Sequence, residues 1–207
     1  MVLFSEKWTK MLTNRVFLST ICSMSALPAE LSDQGKTARR RMYRRLAAGK
    51  AQRVLSGVLV EGDALLGEAD VMALLNARQP LAVMNLISAL SHHRMTTQIP
   101  DALYVALPRG VRMPCVYAMP VRVWYTTPEL LEGCRDEVEG AYGSYRVTTP
   151  ERTLVDCFKY RNKIGLSIFL EALRLGQEKL NPSLLHSEAE RLRVLNKMSP
   201  YLKYIFS

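Results

Sequence analysis

Between Lys10 and about Met24 the apolar positions Met11, Leu12, Val16, Ile21 and Met24 recur loosely at helical spacing, and the pattern breaks at Leu27-Pro28. Pro28 suits the first turn of a short helical segment, PAELSD, with Leu31 inward, and Gln34-Gly35 supplies a turn. Thr37 is placed to cap a third helix running to about Ala48, where Gly49 tolerates the left-handed conformation of a helix end. On that helix Ala38, Met42 and Leu46 form an apolar stripe at four-residue spacing. The same rotation puts Arg40, Tyr43 and Arg44 on the opposite face, with Arg41 and Arg45 flanking it. After Gly49 the period shortens: AQRVLSGVLVEGD reads as two strands turning at Ser56-Gly57. Helix, helix, turn, helix and hairpin together predict a winged helix-turn-helix over residues 1–66.

A new apolar periodicity starts beyond Asp63 to Gly67, which predicts a second lobe over residues 67–207 with its own core. GEADVMALLNARQ places Val71, Met72, Leu74 and Leu75 on one helical side, and Pro80 redirects the chain. Another helix is predicted from about Met84 to His92. ALYVALP, VRVWYTT and SYRVTT read as strands of a small sheet, PERTLVDCFKY and LSIFLEALRL as helices, and LLHSEAERLRVLNKM as one further amphipathic helix. The expected fold class is α+β, a winged helix followed by a mixed α/β domain.

Charge changes the picture in the first lobe. The formal net charge is +9; Lys and Arg outnumber Asp and Glu by 11 to 5 up to Asp63 and by only 17 to 14 beyond it. From Lys36 to Val60 there are eight cations and no carboxylate. A solvated helix face ordinarily mixes signs, because like charges one turn apart repel. The excess therefore points to a polyanion. Arginine's planar fork can hold a phosphate bidentately or read guanine in the major groove. Lys36, Thr37, Arg39, Arg40, Arg41, Tyr43, Arg44 and Arg45 on the helix, with Lys50 and Arg53 on the hairpin, are the predicted contacts to double-stranded DNA.

Enzymatic signatures are lacking: no P-loop, Rossmann glycine pattern, H-E-x-x-H or G-x-S-x-G occurs. Gly143-Ser144 could open a nucleotidyltransferase loop, but no D-x-D follows to hold metal. Adjacent His92 and His93 are expected on different sides of a helix. Glu129, Glu132, Asp136, Glu137 and Glu139, the one dense carboxylate group, are expected in a surface loop and helix. Cys22, Cys115, Cys134 and Cys157 are scattered without metal-ligand spacing, and buried reduced thiols are expected. No catalytic residue, metal or cofactor is predicted. The stretch NRVFLSTICSMSALPAE, weighed as a secretory signal, has Glu6 in its basic region and a centre diluted by Ser19, Thr20 and Ser23, so a core helix and a cytoplasmic location are expected. In TTPERTLVDCF, Thr148 to Glu151 fits a capping box with Thr149-Pro150 as the competing start, and Arg152 and Asp156 stand one turn apart as an ion pair. That arrangement reads as a helix start docked on the sheet, with a charged pocket as the alternative.

Three segments in order, GKAQRVLSGVLV, LISALSHHRMTTQIPDALYVALP and TTPERTLVDCFKY, resemble the AbiEi-like antitoxins, predicted transcriptional regulators of abortive-infection toxin–antitoxin systems. The most specific is the Pro-x-Arg-Thr-Leu-x-Asp helix start, carried here by Pro150, Arg152, Thr153 and Asp156. Val58-Leu59 departs from the pattern, standing where many members have an aromatic. The resemblance implies a winged helix that binds repeated operator sites and represses its own operon. It also implies that the C-terminal domain counteracts a nucleotidyltransferase-like toxin encoded beside it. A metal-dependent enzyme acting on nucleic acid and an RNA-binding module are the alternatives.

Overall fold

The computed structural model describes residues 40–41, 43–62 and 65–206. The first two predicted helices, Lys36, Thr37 and Arg39, and the stripe residues Ala38 and Met42 lie outside the described residues. What is described is a mixed α+β structure with two small sheets.

Residues 40–41 and 43–47 are helical, and the helix stops where the sequence places the stop. Gly49 N–H bonds Leu46 O at 3.1 Å and Lys50 N–H bonds Arg45 O at 2.8 Å, with Gly49 at φ +67. These are the paired bonds of a Schellman end, which needs the left-handed residue that glycine supplies cheaply. β1 (Ala51–Leu55) and β2 (Val58–Glu61) then pair antiparallel about Ser56-Gly57. Burial departs from the alternation of a hairpin projecting into water: Val54, Leu55, Val58, Leu59 and Val60 are all buried.

α1 (Glu68–Arg78) follows, then β3 (Val83–Met84), α2 (Leu86–His92), β4 (Leu103–Pro108), β5 (Val121–Thr126) and a short 3-10 turn at Pro128–Leu130. β6 (Arg135–Gly140) and β7 (Gly143–Thr148) form the second hairpin. The strands of the larger, five-stranded sheet run in the order β5-β4-β3-β7-β6. β4 is buried along its whole length and divides its side chains by parity. Leu103, Val105 and Leu107 join a cluster with α1 and the β1–β2 hairpin, while Tyr104, like Ala102 just before the strand, faces the cluster of α2 and the later helices, and Ala106 packs with Val83 and Leu131. A strand covered on both faces has no polar side to show, hence its unbroken apolar run.

The later helices are α3 (Pro150–Lys159), α4 (Arg161–Ile164), α5 (Leu166–Gly176), α6 (Pro182–Arg191) and α7 (Leu195–Phe206). Phe158, Phe169 and Tyr201 meet in this core, with ring centroids 4.9 Å apart for the phenylalanine pair. A cluster of aromatic rings packed edge to face this closely is costly to hollow out. Phe158→Ala is expected to lose about 3–5 kcal/mol in a urea melt, and a loss near zero would mean this cluster is not the core of the helical layer.

Several expectations are corrected. Asp136, Glu137 and Glu139 lie on strand β6, not in a loop and helix; β6 is an edge strand paired only with β7. Met84 belongs to β3, and the following helix begins after Asn85, whose side chain accepts from Leu86 N–H. The single helix expected over residues 184–198 is two. Arg193 at φ +57 ends α6 with the same pair of bonds as Gly49, Arg193 N–H to Glu190 O and Val194 N–H to Ala189 O. Among the described cysteines, Cys134 and Cys157 are buried but Cys115 is exposed. The β1–β2 hairpin shares its apolar cluster with α1 and the large sheet.

Candidate nucleic-acid interface

Arg40, Arg41, Tyr43, Arg44, Lys50 and Arg53 are all exposed, as the helical rotation requires for the first four. Arg40, Arg41, Arg44 and Lys50 have no ion-pair partner among the described residues. Arg45 differs. Its guanidinium forms a salt bridge with Glu61 at the end of β2, which fastens the helix to the hairpin it precedes. Arg45 is thus engaged within the fold, and the sequence rule that no carboxylate lies in the run missed Glu61 by one residue.

Arg53, on β1, meets aromatic rings instead of a carboxylate. Its Cζ lies 6.0 Å from the Tyr43 ring and 5.5 Å from that of Tyr117, a residue absent from the sequence-based set. Tyr117 arrives with the β4–β5 connection. The two strands are parallel, so their link must cross over. On the way, residues 115–118 lie against β1: Ser56 N–H bonds Cys115 O at 2.8 Å, Tyr117 N–H bonds Val54 O at 2.8 Å, and Leu55 and Val116 form an antiparallel bridge. The hairpin edge is thereby covered by a third length of chain.

The second predicted constellation is brought together, with Arg152, Thr153 and Asp156 buried and Pro150 half-buried. Pro150 opens α3 and Thr149, not Thr148, caps it, accepting from Arg152 N–H. Glu151 does not close the expected box with Thr148; it accepts from Asn181 N–H at 2.9 Å. Arg152, 1 % exposed, donates to Asp156 Oδ2 at 2.8 Å, to Glu188 Oε2 at 3.3 Å and to the Leu130 carbonyl. Arg191 completes the network on Glu188 Oε1 and on the Glu132 carbonyl at 3.0 Å. Thr153 Oγ1 meets Thr148 Oγ1 at 2.7 Å and donates to the Thr149 carbonyl at 2.8 Å. Burial pushes the Asp156 carboxyl up against the opposing pull of Arg152. The bonds from Nε and Nη1 all go to internal acceptors, the arrangement expected of a helix start docked on the sheet.

Sequence reasoning also passed over Ser88 and Asn76, whose small polar side chains pin the layers. Ser88 Oγ donates to Glu68 and accepts from Tyr104 N–H at 3.0 Å. Asn76 donates to the Ala82 carbonyl at 2.7 Å and accepts from Arg146 N–H at 2.8 Å. Gly143-Ser144 sits at the β6–β7 turn, Ser144 donating to Glu137. His92 and His93, expected to diverge, have ring centroids 5.0 Å apart. His93 Nε2 donates to the Thr148 carbonyl at 2.7 Å and Tyr145 OH reaches His92 Nδ1 at 3.3 Å.

Both imidazoles titrate below the ordinary 6.5, burial being the main cause; the neighbouring His93 adds to it at His92, and Lys179 at His93. Asp136 opposes the shift at both, and the Thr148 carbonyl and Glu151 oppose it at His93. A depressed folded pKa stabilises the protein above the unfolded value and is lost as pH falls. The thermal midpoint is therefore expected to drop between about pH 7 and pH 5.5, the range in which an unfolded histidine takes up its proton. His93→Gln should flatten the profile, and an unchanged slope would rule the pair out.

Among the described residues no helix is long and apolar enough to cross a membrane, and no group of three or more His, Cys, Asp or Glu could hold a metal ion. The chain matches no protein-family model and no curated protein.

Proposed function

We propose that the chain is a DNA-binding transcriptional repressor and antitoxin of the AbiEi-like kind, without enzymatic turnover. In this reading a winged helix over residues 1–66 binds operator DNA, and residues 67–207 counteract a nucleotidyltransferase-like toxin. The reading rests on one observation above others: an exposed cationic helix face, Arg40, Arg41 and Arg44, runs directly into a hairpin carrying Lys50 and Arg53. Helix followed by hairpin, both cationic, is the arrangement a winged helix presents to one groove and the adjacent backbone. The family assignment is supported by the Pro150, Arg152, Thr153, Asp156 motif and the other two segments quoted above.

Binding to a labelled duplex should weaken steeply as salt rises, with a log–log slope of about −0.9 for each phosphate neutralised. A flat dependence would sink the DNA reading. Co-expression of the full chain with a nucleotidyltransferase-like toxin should restore growth, and a toxin unaffected by the full chain would sink the antitoxin reading.

A further inference from the structure

The β4–β5 connection belongs to the second half of the chain, yet it delivers an exposed tyrosine to the cationic side of the hairpin. Tyr117 is 54 % exposed and Tyr43 is 41 % exposed. Here the two rings come from opposite sides in sequence and meet the same guanidinium. Tyr117 is the nearer, at 5.5 Å, and its backbone is fixed by the bond from its N–H to Val54 O, the residue beside Arg53. Tyr43 at 6.0 Å lies at the outer reach of the interaction. Among the described residues no carboxylate pairs with Arg53, whereas Arg45, one element earlier, is paired with Glu61.

The two arginines therefore have different physical situations. Arg45 is neutralised and spent on holding the fold. Arg53 is restrained by ring contacts, which restrict its rotamers without consuming its N–H donors. A guanidinium oriented in advance loses less entropy on binding, and its fork matches a phosphate bidentately. We propose that Tyr117 is a positioning residue of the DNA interface: it holds Arg53 for a phosphate of the duplex, so the β4–β5 connection is part of the binding surface. This rests on the DNA-binding reading above. Its occupant is the duplex backbone, recognised without regard to sequence.

The test uses the full chain and a fluorescein-labelled mixed-sequence DNA duplex, with affinity measured by anisotropy across a salt series. Arg53→Ala should weaken binding about eightfold near 0.1 M salt and reduce the slope by about 0.9, the signature of one lost phosphate. Tyr117→Ala should weaken binding and lower the slope in the same direction, while Tyr117→Phe, which keeps the ring, should match the parent. Combining Tyr117→Ala with Arg53→Ala should be no worse than Arg53→Ala alone, since the tyrosine acts through the arginine. Circular dichroism should show unchanged melting for both tyrosine variants. If Arg40→Ala/Arg44→Ala abolishes binding while Tyr117→Ala keeps the parent's affinity and slope, the proposal is overturned and the DNA reading stands. If the parent itself fails to bind the duplex, both fall together. Tighter binding to single-stranded DNA or to duplex RNA than to duplex DNA would overturn the assignment of the occupant.

Discussion

Arg152→Ala is expected to destabilise the protein by about 3–5 kcal/mol, the cost of leaving a buried charge without its partner. Asp156 is 2 % exposed and its carboxylate is balanced by this one guanidinium at 2.8 Å; the Glu188 carboxylate adds a second negative charge to the same site. Three backbone layers meet there: α3 through Arg152, α6 through Glu188, and the 3-10 turn through the Leu130 carbonyl. Removing the arginine therefore loosens the docking of all three. The pH dependence has a definite sign. Burial already raises Asp156, and without Arg152 it rises further. A carboxyl whose folded pKa is raised costs nothing below its unfolded value and penalises the fold as pH rises through the folded one. The variant should thus lose least at acid pH, and adding Asp156→Asn should recover part of the loss at neutral pH. Urea melts at two pH values measure both. A loss under about 1 kcal/mol, or a folded variant that has lost only toxin neutralisation, would revive the charged pocket.

Arg40→Ala/Arg44→Ala should have the opposite profile, an intact fold that no longer binds DNA. Both side chains are exposed on the face away from Leu46, which is half-buried. Exposed positions outside a cap or network change stability by no more than about 0.5 kcal/mol. If each contacts a base edge the loss is about 1–3 kcal/mol apiece, enough together to erase specific binding in a gel shift. If both hold only phosphates, binding to all duplexes weakens alike and the salt slope falls. A variant that binds like the parent would remove this helix from the interface.

The elements that were legible in the sequence are those whose signals are local. Ser56-Gly57 turns a hairpin because Gly57 takes φ +78, and Gly49 ends a helix at φ +67 for the same stereochemical reason. β4 announces itself by being covered on both faces. What escaped notice was decided by distant partners. RDEVEG has few strand formers, yet it becomes β6 because β7 offers an edge; the charges suit an edge strand that must not pair further. Arg193 ends α6 without a glycine or proline to mark the place. At the candidate interface the helix face was readable from its rotation, but Glu61 engaging Arg45 and Tyr117 reaching Arg53 depend on a hairpin fold and a crossover. Spacing along a chain carries no trace of either.

That crossover has a consequence for how the protein can change over generations. A hairpin seated on its own lobe can be exchanged for another, as a tool head is exchanged on a handle. This one has Val54, Leu55, Val58 and Val60 set into the body and residues 115–118 laid along its edge. A foreign first segment grafted at residue 66 would bring a hairpin whose underside finds no matching seat. If the proposed DNA-binding reading holds, new preferences arise by substitution on the exposed helix face, with the hairpin and its crossover altered in step.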